Sequence, residues 1–583
     1  MTSKGTPDPG PLRLPVQSLV SALAGRSTLD EPAFTYIDYS SDRAGARRTL
    51  TWSELYLRVT AVAARIRELA DTSGRVAILC PQDLSYPVAF FGALASGAIA
   101  VPLFAPEVSS HADRLTGALA DCEATVWLTA ESTLGAVEKL LDDPHVPPPA
   151  GVIAVDGIDL DAAEGFQLPE IDLGATAYLQ YTSGSTRAPA GAVITHEAVA
   201  ANVRQLAAAF DLGEHSTFVG WIPFFHDMGL VSLACLPAGL GGQSVFSTPF
   251  AFIRRPLGWL EMMAGHPNVM TAAPNFAFDY AVDRVRAEDR AGLDLSGVHV
   301  AINGSEPVRP HTVERFQETF GPCGLAPHAH RPSYGLAEAT VFVTATGRTG
   351  PTRSRFVRSE LMEGRAVAAR ADADADAVAL VSAGKPVGQH VCIVDPVGRT
   401  ARPDGEVGEV WVHGPNLATS YWGQPERSEE VFNGCLAGGA DGLPVAGWLR
   451  TGDLGVSHGG ELYITGRLKD LIIVDGKNHY PQDIEQTVQE AHPAIQPGRV
   501  AAFGIPTEAD EGIVVVMERA RGAAADEVRA SDIAVAVRRA VAAAHDLKLR
   551  DVHVLNGEKV LRTSSGKIAR TANRDRYLAE HPA

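Results

Sequence analysis

The sequence predicts an α/β fold followed by a smaller α+β domain, and three observations carry that prediction. The first is alternation. Residues 55–69 (LYLRVTAVAARIREL) place apolar side chains every three or four positions as a helix does, residues 75–79 (RVAIL) are a short aliphatic run, and residues 88–94 read as helix again. The rhythm returns at 125–128, 152–155, 198–210, 298–302 and 391–394, which argues for a mainly parallel sheet covered by helices. The second is a change of texture near Gly405, where EVGEVWVHG alternates like a half-exposed antiparallel strand. The third is the tail from about Lys469. It holds strand-like LIIV, a helix over 481–490, the strands RVAAFGI and GIVVVME, a helix over 531–544 and the strand VHVL, enough for an α+β domain of a hundred-odd residues. No fixed period recurs, so a solenoid is set aside.

A chain of 583 residues buries several cores, and its 50 Lys and Arg against 69 Asp and Glu give a net charge of −19 and a pI of about 5.4. That balance argues against a general nucleic-acid binder. The six cysteines, at 80, 122, 235, 323, 392 and 435, form no C-x-x-C and no zinc spacing, so a reducing, cytoplasmic setting is expected. The opening MTSKGTPDPGPLRLPVQ lacks the basic and apolar segments of a secretory signal, and export is not expected. Two uncharged runs, 86–106 and 229–253, have the length of membrane spans. Pro87, Gly92, Gly97 and Pro102 interrupt the first and Pro237, Gly239, Gly241 and Gly242 the second, so both are read as buried helix-turn-strand segments. ADADADA at 371–377 invites a calcium-loop reading, which fails because Ala377 and Ala383 stand where Gly and Glu are needed.

The most informative stretch is YLQYTSGSTRAPAGAVITHEAVAAN, residues 178–202. Thr182, Ser183, Gly184, Ser185 and Thr186 follow a strand-like lead-in and precede a helix-like run, and such a loop can turn backbone N–H groups and hydroxyls toward one phosphate. Taken alone it is as consistent with a surface turn, and it lacks the G-x-x-x-x-G-K-[ST] arrangement of a Walker NTPase. Four further segments raise its weight. SYGLAEAT sets Tyr334 and Glu338 four apart near a strand end, WLRTGDLG puts Asp453 in a tight turn, GRLKDLIIVDGKNHYPQDIE joins the two textures, and RTSSGKIAR sets Lys567 after a Gly.

In order and spacing, from about Trp52 to Arg570, these five segments resemble the core motifs of the adenylate-forming superfamily. QYTSGSTRAPAG, WIPFFHDMGL, NGSEPVR, SYGLAEAT and DLIIVDGKNHYPQDIE are most similar to its fatty acyl-AMP ligase branch. Residues of about 353–383 fall where those ligases carry an insertion associated with poor use of CoA. Arg187 and Ala190 stand where the wider superfamily has Gly and Lys, a departure usual in this branch.

The resemblance implies an N-terminal adenylating domain over 1–467, built of α/β subdomains with a small barrel-like piece, and a mobile C-terminal lid over 468–583. It implies ATP and Mg²⁺ as cofactors, with Thr182–Thr186 on the phosphates, Glu338 and Thr186 on the metal, and Asn303, Gly304, Ser305, Tyr334, Gly335, Asp453 and Arg467 on adenine and ribose. The resemblance further implies that His226 gates the acyl pocket, that Lys469 is the hinge, and that Lys567 bridges the carboxylate and the α-phosphate, where a positive charge stabilises the transition state. Met228, Leu230, Leu233, Leu236, Phe276 and Phe278 are the candidate walls of an acyl tunnel. His328 and His330 lack a third metal ligand and are read as structural.

The expected reaction activates a medium- or long-chain fatty acid as its adenylate, then passes the acyl group to the phosphopantetheine thiol of an acyl carrier protein in polyketide or peptide-polyketide synthesis. The expected partners are thus the fatty acid and the carrier protein, with no nucleic acid and no membrane span. One rival keeps the fold and takes CoA as acceptor. Another keeps nucleotide binding without turnover, against which the joint presence of Glu338, Asp453 and Lys567 argues.

Overall fold

The computed structural model describes residues 17–40, 42–106, 112–181, 189–370, 376–440, 442–474, 477–506, 511–520, 528–563 and 567–581. Thr182, Ser183, Gly184, Ser185, Thr186, Arg187, Gly476 and most of the ADADADA segment lie outside the described residues.

Two sheets form the body of the large domain. One runs Gly151–Ala154, Val126–Thr129, Arg75–Ile78, Ile99–Pro102, Thr176–Tyr181 and Gly191–Thr195, parallel except for its last pair. The other has nine strands. Its centre, Pro32–Asp38, Gln243–Phe246, Thr217–Gly220, Val269–Pro274, Val298–Gly304 and His330–Tyr334, is parallel throughout, and antiparallel strands close both edges. The alternation read from the sequence corresponds to these strands and to helices such as Trp52–Arg67, Ser85–Ala95 and His196–Phe210. Trp52–Arg67 starts in a capping box: Glu54 N donates to Thr51 Oγ1 at 3.2 Å, and Thr51 N donates to Glu54 Oε2 at 3.0 Å. Ser85–Ala95 is buried on every face, which explains its uncharged sequence without a bilayer. No described helix is long and apolar enough to cross a membrane.

The texture change near Gly405 marks a four-stranded antiparallel sheet, His390–Val394, Val407–His413, Leu449–His458 and Glu461–Arg467. Beside it the hairpin Arg353–Val357/Ala377–Val381 buries Phe356 completely against Leu454, Val456 and Tyr463. The chain leaves this sheet at Arg467 and turns through Leu468–Asp470 into a unit with its own core. There the strands Ile495–Pro506, Glu511–Arg519 and Leu549–Leu555 are packed by the helices Pro481–Ala491 and Ala530–His545. The terminal helix Arg570–Glu580 carries too few apolar residues to announce itself; it is fixed by the buried Tyr577 and, at its start, by charge. Arg570 Nε and Nη2 donate to the buried Glu485 at 2.7 and 2.8 Å, and Nη1 donates to Asp470 at 3.1 Å.

Two local expectations are corrected. Asp453 is not in a tight turn: it lies within the ten-residue strand Leu449–His458, opposite Arg467, the local irregularity being taken up by Gly452 at φ 68°. The segment after the Ser/Thr-rich stretch is not directly helical either. The antiparallel strand Gly191–Thr195 intervenes, so the stretch joins two strands and the helix starts only at His196.

Candidate active site

The carboxyl ends of the neighbouring parallel strands Val269–Pro274, Val298–Gly304 and His330–Tyr334 border a pocket of about 500 Å³ of empty space, its mouth included. Ligands of open α/β sheets are held at such ends. Met270 and Ala272 on one strand, and Ile302 and Gly304 on the next, are two apart and so face the same way. With Leu206, Val231, Leu236 and Phe342 they make an apolar wall that meets a polar end of Asp227, Ser305, Ser333 and Tyr334. The backbone at the polar end is tightly packed. A Cβ on Gly335 would stand 1.6 Å from Val341 O, and Ser305 holds φ 65°, a conformation rare for a side chain larger than glycine.

The segment 221–230 is held to both sheets by side-chain amides. Gln82 Nε2 lies within hydrogen-bond reach of the carbonyls of Trp221, Ile222 and Ser247, and Gln180 Nε2 donates to Phe225 O at 3.0 Å. Gly229 passes so close to Pro223 O that a Cβ would lie 2.0 Å away. Five residues of π-helix, Val231–Cys235, follow and turn Val231 and Ser232 into the pocket. His226 Nδ1 is 2.6 Å from Asp227 Oδ1, with both side chains mostly buried. Burial alone would raise the Asp227 carboxyl. His226, Lys567 and the Met228 N–H, which donates to Oδ1 at 2.7 Å, outweigh it and hold Asp227 below the usual carboxylate range.

Across the pocket Asp453 is gripped on both oxygens. Tyr334 OH donates to Oδ2 at 2.7 Å, and Arg467 Nε pairs with Oδ1 at 2.9 Å across the hairpin. Asp453, Asp470, Tyr334 and Glu338 together outweigh burial and raise the Arg467 guanidinium above its ordinary value. Lys567 comes from the small domain, where its N–H donates to Thr563 Oγ1 at 3.2 Å and its carbonyl accepts from Thr563 N at 2.8 Å. Burial and then Arg467 lower the Lys567 ammonium, partly opposed by Asp227, Glu306 and Asp453. One lysine thus shares a field with three carboxylates from three different segments of the large domain.

Glu338 sits in the short turn Ala337–Ala339. Its Oε1 accepts from Tyr421 OH at 2.6 Å, and Oε2 has no partner among the described residues. A carboxylate with one fixed and one open oxygen fits a hard divalent cation whose other ligands are phosphate oxygens and water.

The structure brings Glu338, Asp453, Arg467, Lys567, His226, Tyr334, Gly335, Gly304, Ser305 and Met228 around this region. Asn303 is fully buried and works in the core, where its Nδ2 donates to His330 Nε2 at 3.0 Å. His330 is likewise buried, and His328 is exposed. Of the candidate acyl walls, Met228 and Leu236 line the pocket. Leu230, Leu233, Phe276 and Phe278 do not. Phe278 is a core ring stacked on His330, Leu230 and Leu233 are buried elsewhere, and Phe276 lies under the Arg562 guanidinium at 5.5 Å. Lys469 is exposed in the connecting turn Leu468–Asp470. Sequence reasoning missed Tyr421, Glu306 and the walls Leu206, Met270, Ala272, Ile302 and Phe342. Glu306 was in sight within NGSEPVR, whereas a lone tyrosine and five ordinary core residues carry no local signal.

This arrangement sets an apolar pocket against a polar end, with Lys567, Asp453 and Arg467 beside it. Residues 22–422 match the family AMP-binding enzyme, and residues 469–581 match the Disco-interacting protein 2-like AMP domain. The chain is 43% identical to long-chain-fatty-acid–AMP ligase FadD26 of Mycobacterium marinum, over 94% of this chain and 95% of that one. A structure from a study of the fatty acyl-adenylate ligases of E. coli and L. pneumophila superposes with a TM-score of 0.85 at 30% identity, covering 98% of both chains. The L. pneumophila fatty acyl-adenylate ligase in complex with acyl adenylate and pyrophosphate gives 0.74 at 32%, covering 96% of both. The chain therefore belongs to the AMP-binding enzyme family, in its fatty acyl-AMP ligase branch.

Proposed function

We propose that this chain joins a medium- or long-chain fatty acid to AMP and then transfers the acyl group to the phosphopantetheine thiol of an acyl carrier protein, in the cytoplasm. A carboxylate oxygen of the acid attacks the α-phosphorus of ATP, the bond to the β-phosphate breaks, and pyrophosphate leaves with the electron pair. The carrier thiol then displaces AMP from the acyl carbon. The observation that carries this reading is the continuity of the apolar pocket with the polar end bordered by Tyr334, Ser305 and Asp227, next to the Lys567 and Asp453 set.

The roles follow from the chemistry of each group. The pocket takes the alkyl chain, so the carboxylate comes to rest at its polar end. Lys567 is the cation whose desolvated charge is worth most as negative charge develops between the acid and the α-phosphate. Asp453 accepts from the ribose hydroxyls, Arg467 steadies it, and Tyr334 and Gly335 border the adenine. His226, oriented by Asp227, flanks the carboxylate. A divalent cation held at the open oxygen of Glu338 would neutralise phosphate charge.

The test is ATP–pyrophosphate exchange with purified protein and saturated acids of increasing length. Exchange that rises with chain length supports the reading, and exchange equal with and without acid would refute it.

A further inference from the structure

Residues 418–424 form a strap along the strand Gly191–Thr195. Thr419 N donates to Val193 O at 3.0 Å, Val193 N to Ser420 O at 2.9 Å and Trp422 N to Gly191 O at 2.8 Å. Gln424 Nε2 donates to Pro189 O at 3.0 Å. The same strap holds Glu338 at two points, for Ala418 N donates to Glu338 O at 2.8 Å and Tyr421 OH donates to Oε1 at 2.6 Å. One short segment therefore fixes the Glu338 carboxylate relative to Pro189, the residue at which the described chain resumes after Tyr181.

Arg427 follows this strap in the helix Pro425–Phe432. Its guanidinium lies 4.1 Å from the centroid of the Tyr421 ring, and Nη1 donates to Gln424 Oε1 at 3.1 Å. The side chain is half-buried and forms no ion pair with a carboxylate among the described residues. One N–H donor is spent on a neutral amide and the charge is held against the Tyr421 side chain, which fixes the fork and leaves further donors for a ligand. The neighbouring Ala190 is buried and brings no charge. A fixed guanidinium and a carboxylate with one open oxygen, each held by Tyr421, are a pairing suited to a metal-bound polyphosphate, since the acid takes the cation and the guanidinium takes phosphate oxygens.

We propose that Arg427 binds the β- and γ-phosphates of ATP, the part that departs as pyrophosphate, with Tyr421 and Gln424 as its positioning residues. This rests on reading the site as an ATP site, as set out under Proposed function. Tyr421 then has two tasks. Its hydroxyl leaves one oxygen of Glu338 open and its ring carries Arg427, so nucleotide phosphates and metal ligand are placed by one side chain.

Calorimetric binding of ATP, pyrophosphate and AMP at fixed Mg²⁺, without fatty acid, tests the assignment in wild type, Arg427→Gln and Arg427→Lys. The Gln variant is expected to bind ATP and pyrophosphate about tenfold more weakly, with AMP affinity unchanged and the Lys variant in between. Tyr421→Phe is expected to weaken the same two ligands by a smaller factor. Wild-type affinity of Arg427→Gln for ATP and pyrophosphate would overturn the assignment, as would an equal loss for AMP, which would mean that the change acts through the adenosine site. Wild-type protein that binds none of the three would overturn the ATP-site reading and this proposal with it, a result distinct from failure of Arg427 alone.

Discussion

At the residue scale the sharpest commitment is Lys567. Its ammonium is kept among Asp227, Glu306 and Asp453 yet lowered by burial and Arg467, so it is a cation already stripped of water. Lys567→Ala is expected to slow acyl-AMP formation by about 10²- to 10³-fold while ATP binding changes little, because the charge is needed as the transition state develops. Single-turnover acyl-AMP formation beside equilibrium ATP binding checks this, and near-normal adenylation would remove Lys567 from the mechanism. The lowered ammonium also sets the sign of a pH effect. The charged form is lost on the alkaline side below the ordinary lysine value, so kcat/KM falls there earlier than a free lysine would dictate. Asp227 raises the ammonium, and Asp227→Asn is expected to shift that limb to still lower pH. An unmoved or upward-shifted limb would contradict the electrostatic account.

The same scale shows what one sequence can carry. Glu338, Asp453 and Lys567 were legible because each sits in a short motif whose residue types match a chemical task. The pocket walls were not, because Leu206, Met270, Ile302 and Phe342 come from separate elements and are ordinary core residues in isolation. Phe278 was misjudged for the same reason, since an aromatic on a helix says nothing of which neighbour it faces, and here the neighbour is His330.

At the scale of elements the hairpin of the expected insertion is part of the fold rather than an appendage. Phe356 is a core residue, the Arg358 guanidinium pairs with Asp483 of the small domain, and Tyr480 OH donates to Leu361 O at 3.4 Å. Excising all of 353–383 would strip Phe356 from its cluster at a cost of about 3–5 kcal/mol. Removing 358–376 and joining Val357 to Ala377 by a tight turn keeps the strand pair and cuts the tether to the small domain. That variant is expected to retain adenylation and to gain transfer to CoA in a thioester assay, and unchanged CoA use would mean that the hairpin does not set the acceptor. The terminal helix gives a second test. Arg570→Ala strands the buried Glu485 without its partner and is expected to cost about 3–5 kcal/mol, read as a lowered unfolding midpoint. This helix also marks a limit of periodicity arguments, for it is held by two ion pairs and the single buried ring of Tyr577 rather than by an apolar stripe.

At the scale of the molecule the large domain supplies the pocket with Asp227, Tyr334 and Asp453, and the small domain brings Lys567 beside them. The small domain brings Lys567 into the field of Asp453, and under the proposed function a turn of the small domain about Lys469 would clear that space for the thiol of the second step. The large domain carries its own pH dependence through two buried histidines. Burial holds His196 at about 4 and His330 at about 3, so both stay neutral when folded while the unfolded chain takes up their protons below about pH 6.5. Stability is therefore level above that pH and falls below it, by about 1.4 kcal/mol per pH unit for each histidine until the folded value is reached. Denaturant midpoints at pH 7 and pH 5 check this, and His330→Gln is expected to flatten the slope.

The most direct test of the whole account gives the purified protein ATP, Mg²⁺ and fatty acids of graded length, then offers CoA and a phosphopantetheinylated acyl carrier protein in parallel, with products identified by mass spectrometry. The account predicts acyl-AMP with medium and long chains and acyl transfer to the carrier alone. Rapid acyl-CoA formation, or no adenylate with any acid, would contradict it.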